Sequence, residues 1–159
     1  SAILEEGAKF CENVLAPLNR SGDEEGCHFD NGVVTTPKGF KEAFAQYVEG
    51  GWHGVAADPA YGGQGLPSSL GLVLSEMIGS SNTSWGMYPG LTHGAMSAIH
   101  AHGTAEQKDT FLSKLTAGEW TGTMCLTEAH CGTDLGLIKT RAVPQADGSY
   151  AVTGSKIFI

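Results

Sequence analysis

Apolar residues in the first part of the chain recur at helical spacing. Ile3, Leu4, Ala8, Cys11, Leu15 and Leu18 share one face, with Glu5, Glu6, Lys9 and Glu12 mostly off it, so residues 2 to about 18 are expected to form an amphipathic helix. Pro17 weakens its last turn. The stretch NRSGDEEGCHFDNG that follows has loop composition. Pro37 is expected to open a second helix, with Phe40, Ala43, Phe44, Tyr47 and Val48 as its buried stripe and Gly50-Gly51 as its stop. GWHGVAADPAYGGQGLP is too rich in glycine and proline to be regular. Helices are expected from Ser68 to about Ile78 and from near Pro89 to His102. Thr104 with Gln107 has the form of a capping box, opening a helix that carries Phe111, Leu112 and Leu115 and closes at Gly118.

After Gly118 the pattern changes. Trp120–Thr127 is β-branched and apolar, residues 138–143 alternate, and Gln145-Ala146-Asp147-Gly148 is a hairpin signal before a returning strand from Tyr150 to Ile159. The expected order is helices first, then the first strands of a β domain, an α+β arrangement that switches near residue 118. The closing GSKIFI reads as a strand in progress, which suggests a piece of a longer protein; the alternative is a chain ending on an edge strand. There is no internal repeat and no low-complexity segment.

A hydrophobic content of 41% with 16% charged residues across 159 residues fits a globular core rather than a disordered tail. The formal charge of −8 argues against a nucleic-acid partner bound through the overall field. No apolar run approaches the roughly 20 residues of a membrane span, and the acidic start SAILEEGAKF lacks the layout of a signal peptide. Cys11, Cys27, Cys125 and Cys131 form no CxxC pair and read as reduced thiols of a cytoplasmic protein, with a disulfide framework as the minor alternative.

The chemistry concentrates in CLTEAHCGTD, Cys125–Asp134. Small residues at Cys131 and Gly132 let backbone approach a ligand, and Thr127, Thr133 and nearby amides supply hydrogen-bond donors. An ordinary turn capped by Thr133 and Asp134 is the competing account. His93, His100 and His102 lack the i, i+4 spacing of helical zinc ligands, so no metal site is expected there. Tyr61-Gly62-Gly63-Gln64-Gly65 lacks the Lys-Ser/Thr ending of a phosphate loop and reads as a connection between helices. Cys125 has no local base, and Cys131 beside His130 lacks a triad's logic, so a thiol nucleophile is not expected.

Together these stretches resemble the acyl-CoA dehydrogenase family of flavoproteins. GWHGVAADPAYGGQGLP is similar to its G-W-x-G-x-x-x-P-x-x-Y-G-G-x-G loop. Gly103–Lys108 with Phe111-Leu112 and Gly118-Glu119 resembles its G-T-x-E-Q-K…F-L…G-E helix. Met124–Asp134 resembles its L-T-E-P-x-x-G-S-D signature, with Ala129 in place of Pro and Thr133 in place of Ser, and Thr153–Ile159 resembles its N-G-x-K-x-x-I strand. The segment LAPLNRSGDEEGCHFDNGVVTTPKGF is similar to the long subgroup that includes 3-methylthiopropanoyl-CoA dehydrogenase.

The resemblance implies an N-terminal helical domain over 1–118 and the start of a β-barrel middle domain over 119–159, with the C-terminal helical domain absent. It implies FAD as cofactor, with Met124, Cys125, Leu126, Thr127, Gly132 and Thr133 lining one side and Phe158 and Ile159 the strand across the other. Thr133 would also meet the acyl-CoA substrate, and Glu128 matches the signature's structural acid. The implied reaction is α,β-dehydrogenation of an acyl-CoA thioester in fatty acid metabolism, 3-methylthiopropanoyl-CoA being one such substrate. An electron-transfer flavoprotein would take the electrons, and the whole protein would be a homo-oligomer. The family's catalytic carboxylate belongs to the absent domain, so no catalytic residue is expected here and these residues alone are expected to be inactive. The alternatives are an acyl-CoA oxidase or flavin monooxygenase of the same fold, and a non-catalytic helical binding module.

Overall fold

Pro17 does not end the first helix. In the computed structural model, which describes residues 2–159, helix α1 (Ala2–Phe10) widens into a π turn over Cys11–Leu15 and continues as α2 (Ala16–Glu25). Proline has no N–H to give, and its ring clashes with the carbonyl four residues back. The wide turn, whose Ala16 amide reaches the Cys11 carbonyl, places Pro17 in the first turn of a new helical segment, where both problems vanish. The expected loop after residue 18 is therefore helix as far as Glu25. Its polar residues face solvent, with Arg20 Nε 2.8 Å from Glu24 Oε1 one turn on. Gly22 allows α2 to approach: a Cβ there would lie 2.6 Å from the ring of Phe40.

The rest of that stretch is a β-hairpin, β1 (His28–Asp30) paired with β2 (Val33–Thr35). Asn31 and Gly32 take φ of 48° and 81°, the left-handed pair of a type I′ turn. Helix α3 (Phe40–Glu49) starts after Gly39 rather than at Pro37. The glycine-rich segment holds only two short 3-10 turns, Trp52–Gly54 and Pro59–Tyr61.

The two helices expected over Ser68 to about Ile78 and from near Pro89 to His102 are one long element, α4 (Ser68–His102), broken at Asn82 with φ −159° and ψ 89°. Asn82 caps the second arm, its Oδ1 accepting from the Trp85 amide at 3.0 Å, while its Nδ2 donates to the Leu15 carbonyl at 3.2 Å. Pro89 sits inside the second arm and does not open it. Helix α5 (Ala105–Thr116) begins with the expected capping box, Thr104 and Gln107 exchanging bonds of 2.9 and 3.2 Å.

The core gathers around Trp85, 2% exposed, with Phe10 and Tyr47 edge-on to it at 6.0 and 5.4 Å and Leu15, Leu74 and Ile78 alongside. A second cluster joins Met96 to Leu112 and Leu115 of α5.

Two compact units divide between Gly122 and Thr123. The strand expected over 120–127 does not form. The Trp120 amide instead donates to Lys114 at the end of α5, with the Lys114 ammonium 4.1 Å above the Trp120 ring, and the Gly122 amide donates to Thr92 Oγ1. Amides spent on helices cannot join a ladder. In the second unit β3 (Arg141–Pro144) pairs antiparallel with β4 (Tyr150–Thr153) across the expected turn, where Gly148 takes φ of 84°. Residues 154–159, expected to continue the strand, leave the ladder and bond elsewhere.

Candidate functional site

The second unit is organised by one buried carboxylate. Glu128, 4% exposed, exchanges backbone bonds of 2.9 and 3.0 Å with Cys131, closing a tight turn over Ala129-His130. Its carboxylate oxygens accept the Lys139 and Thr140 amides at 2.9 Å each and the Lys156 ammonium at 3.1 Å. Lys156 Nζ also donates to the Leu126 carbonyl at 3.0 Å, and the Ile157 amide to the Thr127 carbonyl at 3.0 Å. Gly154 is required nearby, because a Cβ would lie 2.1 Å from Thr140 Oγ1.

This arrangement holds the Glu128 carboxyl far below its ordinary value of 4.5, through Thr140 first and then the Lys139 amide. The Thr140 hydroxyl is near the charge but forms no hydrogen bond of proper geometry, so the two amides and the ammonium carry the bonding. Glu128 is thus held ionised by three donors. A carboxyl held that far below its usual range is too weak a base to take a proton from a substrate.

The knot brings together the two segments singled out in the sequence. Leu126 and Thr127, both half-buried, are bonded to the strand-like residues just before Phe158 and Ile159, which are 83% and 64% exposed. Met124, Cys125, Gly132 and Thr133 are also exposed. Among the described residues, the amides of Gly132 and Thr133 have no protein acceptor. A Cβ on Gly132 would meet only Thr127 Cγ2, at 3.9 Å, so the space before it is open. The result is an exposed rim of apolar side chains beside free amide and hydroxyl donors, the donor set that a planar ring with polar edges requires.

Glu128, His130 and Cys131 bring possible ligand atoms within 4.8 Å of one another. They are committed elsewhere: Lys156 already neutralises the carboxylate, and His130 Nε2 lies 2.9 Å from the Leu137 carbonyl, which it can meet only as a donor. Lys156 and His130 make bonds across this turn that motif reading did not assign. Lys156 stood inside the quoted TGSKIFI, but its partner is 28 residues away in the chain.

In the helical unit, His100 Nε2 pairs with Asp58 Oδ2 at 3.0 Å, which lowers the Asp58 pKa. His53 is buried with Nε2 unpartnered, and burial followed by His93 lowers its pKa. A cleft of about 740 Å³ lies along the two arms of α4, lined by Ser75, Ile78, Gly79, Gly86, Gly90 and His93 among others. A smaller one of about 330 Å³ is lined by Asp58, Tyr61, Met96, His100 and Leu112.

Residues 1–119 match the family model described as acyl-CoA dehydrogenase, N-terminal domain. The chain belongs to the acyl-CoA dehydrogenase family. It is 44% identical over 158 residues to 3-methylmercaptopropionyl-CoA dehydrogenase of Ruegeria pomeroyi, covering 99% of this chain and 27% of that protein. Its fold is similar to acyl-CoA dehydrogenase complexed with FAD from Bacillus anthracis, with a TM-score of 0.76 and 25% identity over 98% of this chain and 25% of that one. It is also similar to a chain from structural work on the electron transferring flavoprotein of Acidaminococcus fermentans, at a TM-score of 0.80 and 27% identity over 99% of this chain and 38% of that one. The chain spans about a quarter of the length of the curated relatives it matches, 27% and 26% for the first two. The α+β arrangement of a helical domain with a few strands after it is that of these relatives. No helix among the described residues is long and apolar enough to cross a membrane.

Proposed function

We propose that these residues are the helical N-terminal domain (1–118) and the start of the middle β-barrel domain (119–159) of an FAD-dependent acyl-CoA dehydrogenase. The observation that carries this reading is the Glu128 knot, which sets Leu126-Thr127 beside Ile157-Phe158 and leaves the Gly132 and Thr133 amides without protein partners. Those amides and the Thr127 and Thr133 hydroxyls would bind polar edges of the flavin. Met124, Leu126, Phe158 and Ile159 would exclude water from its faces, and Thr133 would also meet the acyl-CoA. Bound FAD would supply the hydride acceptor for desaturating the α,β bond of the thioester.

Glu128 holds the turn and moves no proton, so the base that removes the α-proton belongs to another part of the protein. The apolar cleft along α4 has the chemistry to receive an acyl tail. The identity with the Ruegeria relative favours 3-methylthiopropanoyl-CoA as substrate. An electron-transfer flavoprotein as partner, a homo-oligomer and a cytoplasmic setting complete the reading; the last is consistent with four free cysteines.

Anaerobic titration of the full-length protein with acyl-CoA thioesters tests it. Bleaching of the oxidised-flavin band by 3-methylthiopropanoyl-CoA is the expected result. A colourless protein that takes up no FAD would overturn the reading, as would dehydrogenation by residues 1–159 alone.

A further inference from the structure

We propose that His130 is a positioning residue, whose side chain holds the 128–137 loop in the form its ligand meets. The inference rests on reading that loop as facing a flavin. Its near end is fixed by the Glu128–Cys131 bridge. Beyond Cys131 the chain passes through Gly132 and Thr133, both exposed, and a Cβ on Gly132 would meet only Thr127 Cγ2, at 3.9 Å. Ala129 at the tip leaves φ free, as a proline would not. The two amides that Glu128 binds belong to Lys139 and Thr140, outside the loop.

Within the loop, Asp134 Oδ1 accepts from the Gly136 amide at 3.1 Å, a bond between near neighbours that shapes the turn without spanning it. His130 spans it. Its Nε2 donates to the Leu137 carbonyl at 2.9 Å and lies 3.5 Å from Glu128 Oε2, so the ring joins the tip to the far end beside the buried anion. Holding those points together presents the Gly132 and Thr133 amides before any ligand arrives, which lowers the ordering cost of binding.

The comparison uses the full-length protein, with His130→Ala and His130→Gln. Amide hydrogen exchange across residues 130–140 is measured on each protein as purified, and the Kd for FAD is measured by quenching of flavin fluorescence. One lost hydrogen bond predicts, for His130→Ala, roughly five-fold faster exchange at the bonded amides of residues 135–138 and roughly five-fold weaker FAD binding. The Lys139 and Thr140 amides should be unchanged, because Glu128 still holds them. Glutamine can donate to the Leu137 carbonyl and should restore both quantities. Unchanged exchange and affinity in His130→Ala would overturn the proposal. So would faster exchange at residues 139 and 140 as well, which signals general loosening. Loss reproduced in the wild type by a chelator, with no rescue by glutamine, would overturn it in favour of a metal ligand. A wild type that binds no FAD refutes the flavin reading, while its exchange data still decide whether His130 pins the loop.

Discussion

Replacing Asn82 with alanine removes two bonds from a side chain that is 1% exposed. The first is the cap on the second arm of α4, worth about 0.5–2 kcal/mol. The second is the donor to the Leu15 carbonyl, which as the N-cap of α2 also accepts within that helix, so the lost bond is worth about 0.5–1.5 kcal/mol. Together they predict a loss of roughly 1–3.5 kcal/mol, a five-fold to several-hundred-fold rise in the open population. Urea unfolding followed by tryptophan fluorescence reads the total, since Trp85 is the buried centre of the core. Hydrogen exchange at the Trp85 amide reads the local part. Asn82→Ser keeps an acceptor for that amide but cannot span to Leu15, so it should recover about 1 kcal/mol of the loss. A cost below about 0.5 kcal/mol for Asn82→Ala, the range of an ordinary surface substitution, would refute the assignment of the break to this side chain. Equal losses for serine and alanine would refute the capping part alone.

Gly63→Ala places a Cβ 2.1 Å from the Ala57 carbonyl oxygen, so calorimetry should show a loss of about 1–3 kcal/mol; an unchanged Tm would contradict that packing. Acid should loosen the Glu128 knot. The folded-state value lies below 4.5, so the stabilisation is present above pH 4.5 and is lost as pH falls through the folded value. Exchange at the Lys139 and Thr140 amides, corrected for intrinsic rates, should therefore rise below pH 4.5, whereas Glu128→Gln should lack that dependence; identical profiles would sink the idea. Gly132→Val points into open space and should leave stability within about 0.5 kcal/mol while reducing FAD uptake by the full-length protein. Undiminished uptake would remove Gly132 from the proposed cofactor surface.

Sequence alone determined what rests on neighbours in the chain. The Thr104–Gln107 box, the buried stripe of α3 and the turn at Gly148 each depend on residues within a turn or two, so spacing and residue type specify them. The Asn31-Gly32 hairpin belongs with them; its signal stood between Phe29 and Val33 under a loop-like composition. Motif resemblance also implied a structural role for Glu128, and its carboxylate accepts from three donors.

Tertiary structure decided the rest. Pro17 could have ended a helix, but α2 continues and packs against Phe40 through Gly22, while the Asn82 side-chain amide bonds the Leu15 carbonyl. Asn82 breaks α4 where its side chain can donate to a carbonyl 67 residues earlier. Trp120–Thr127 has strand composition, but the Trp120 and Gly122 amides find partners on helices. The two halves of the proposed cofactor surface meet because Lys156 reaches back to Leu126 and Glu128. Such bonds join residues tens of positions apart, and no local pattern encodes which distant group will satisfy a buried donor or acceptor.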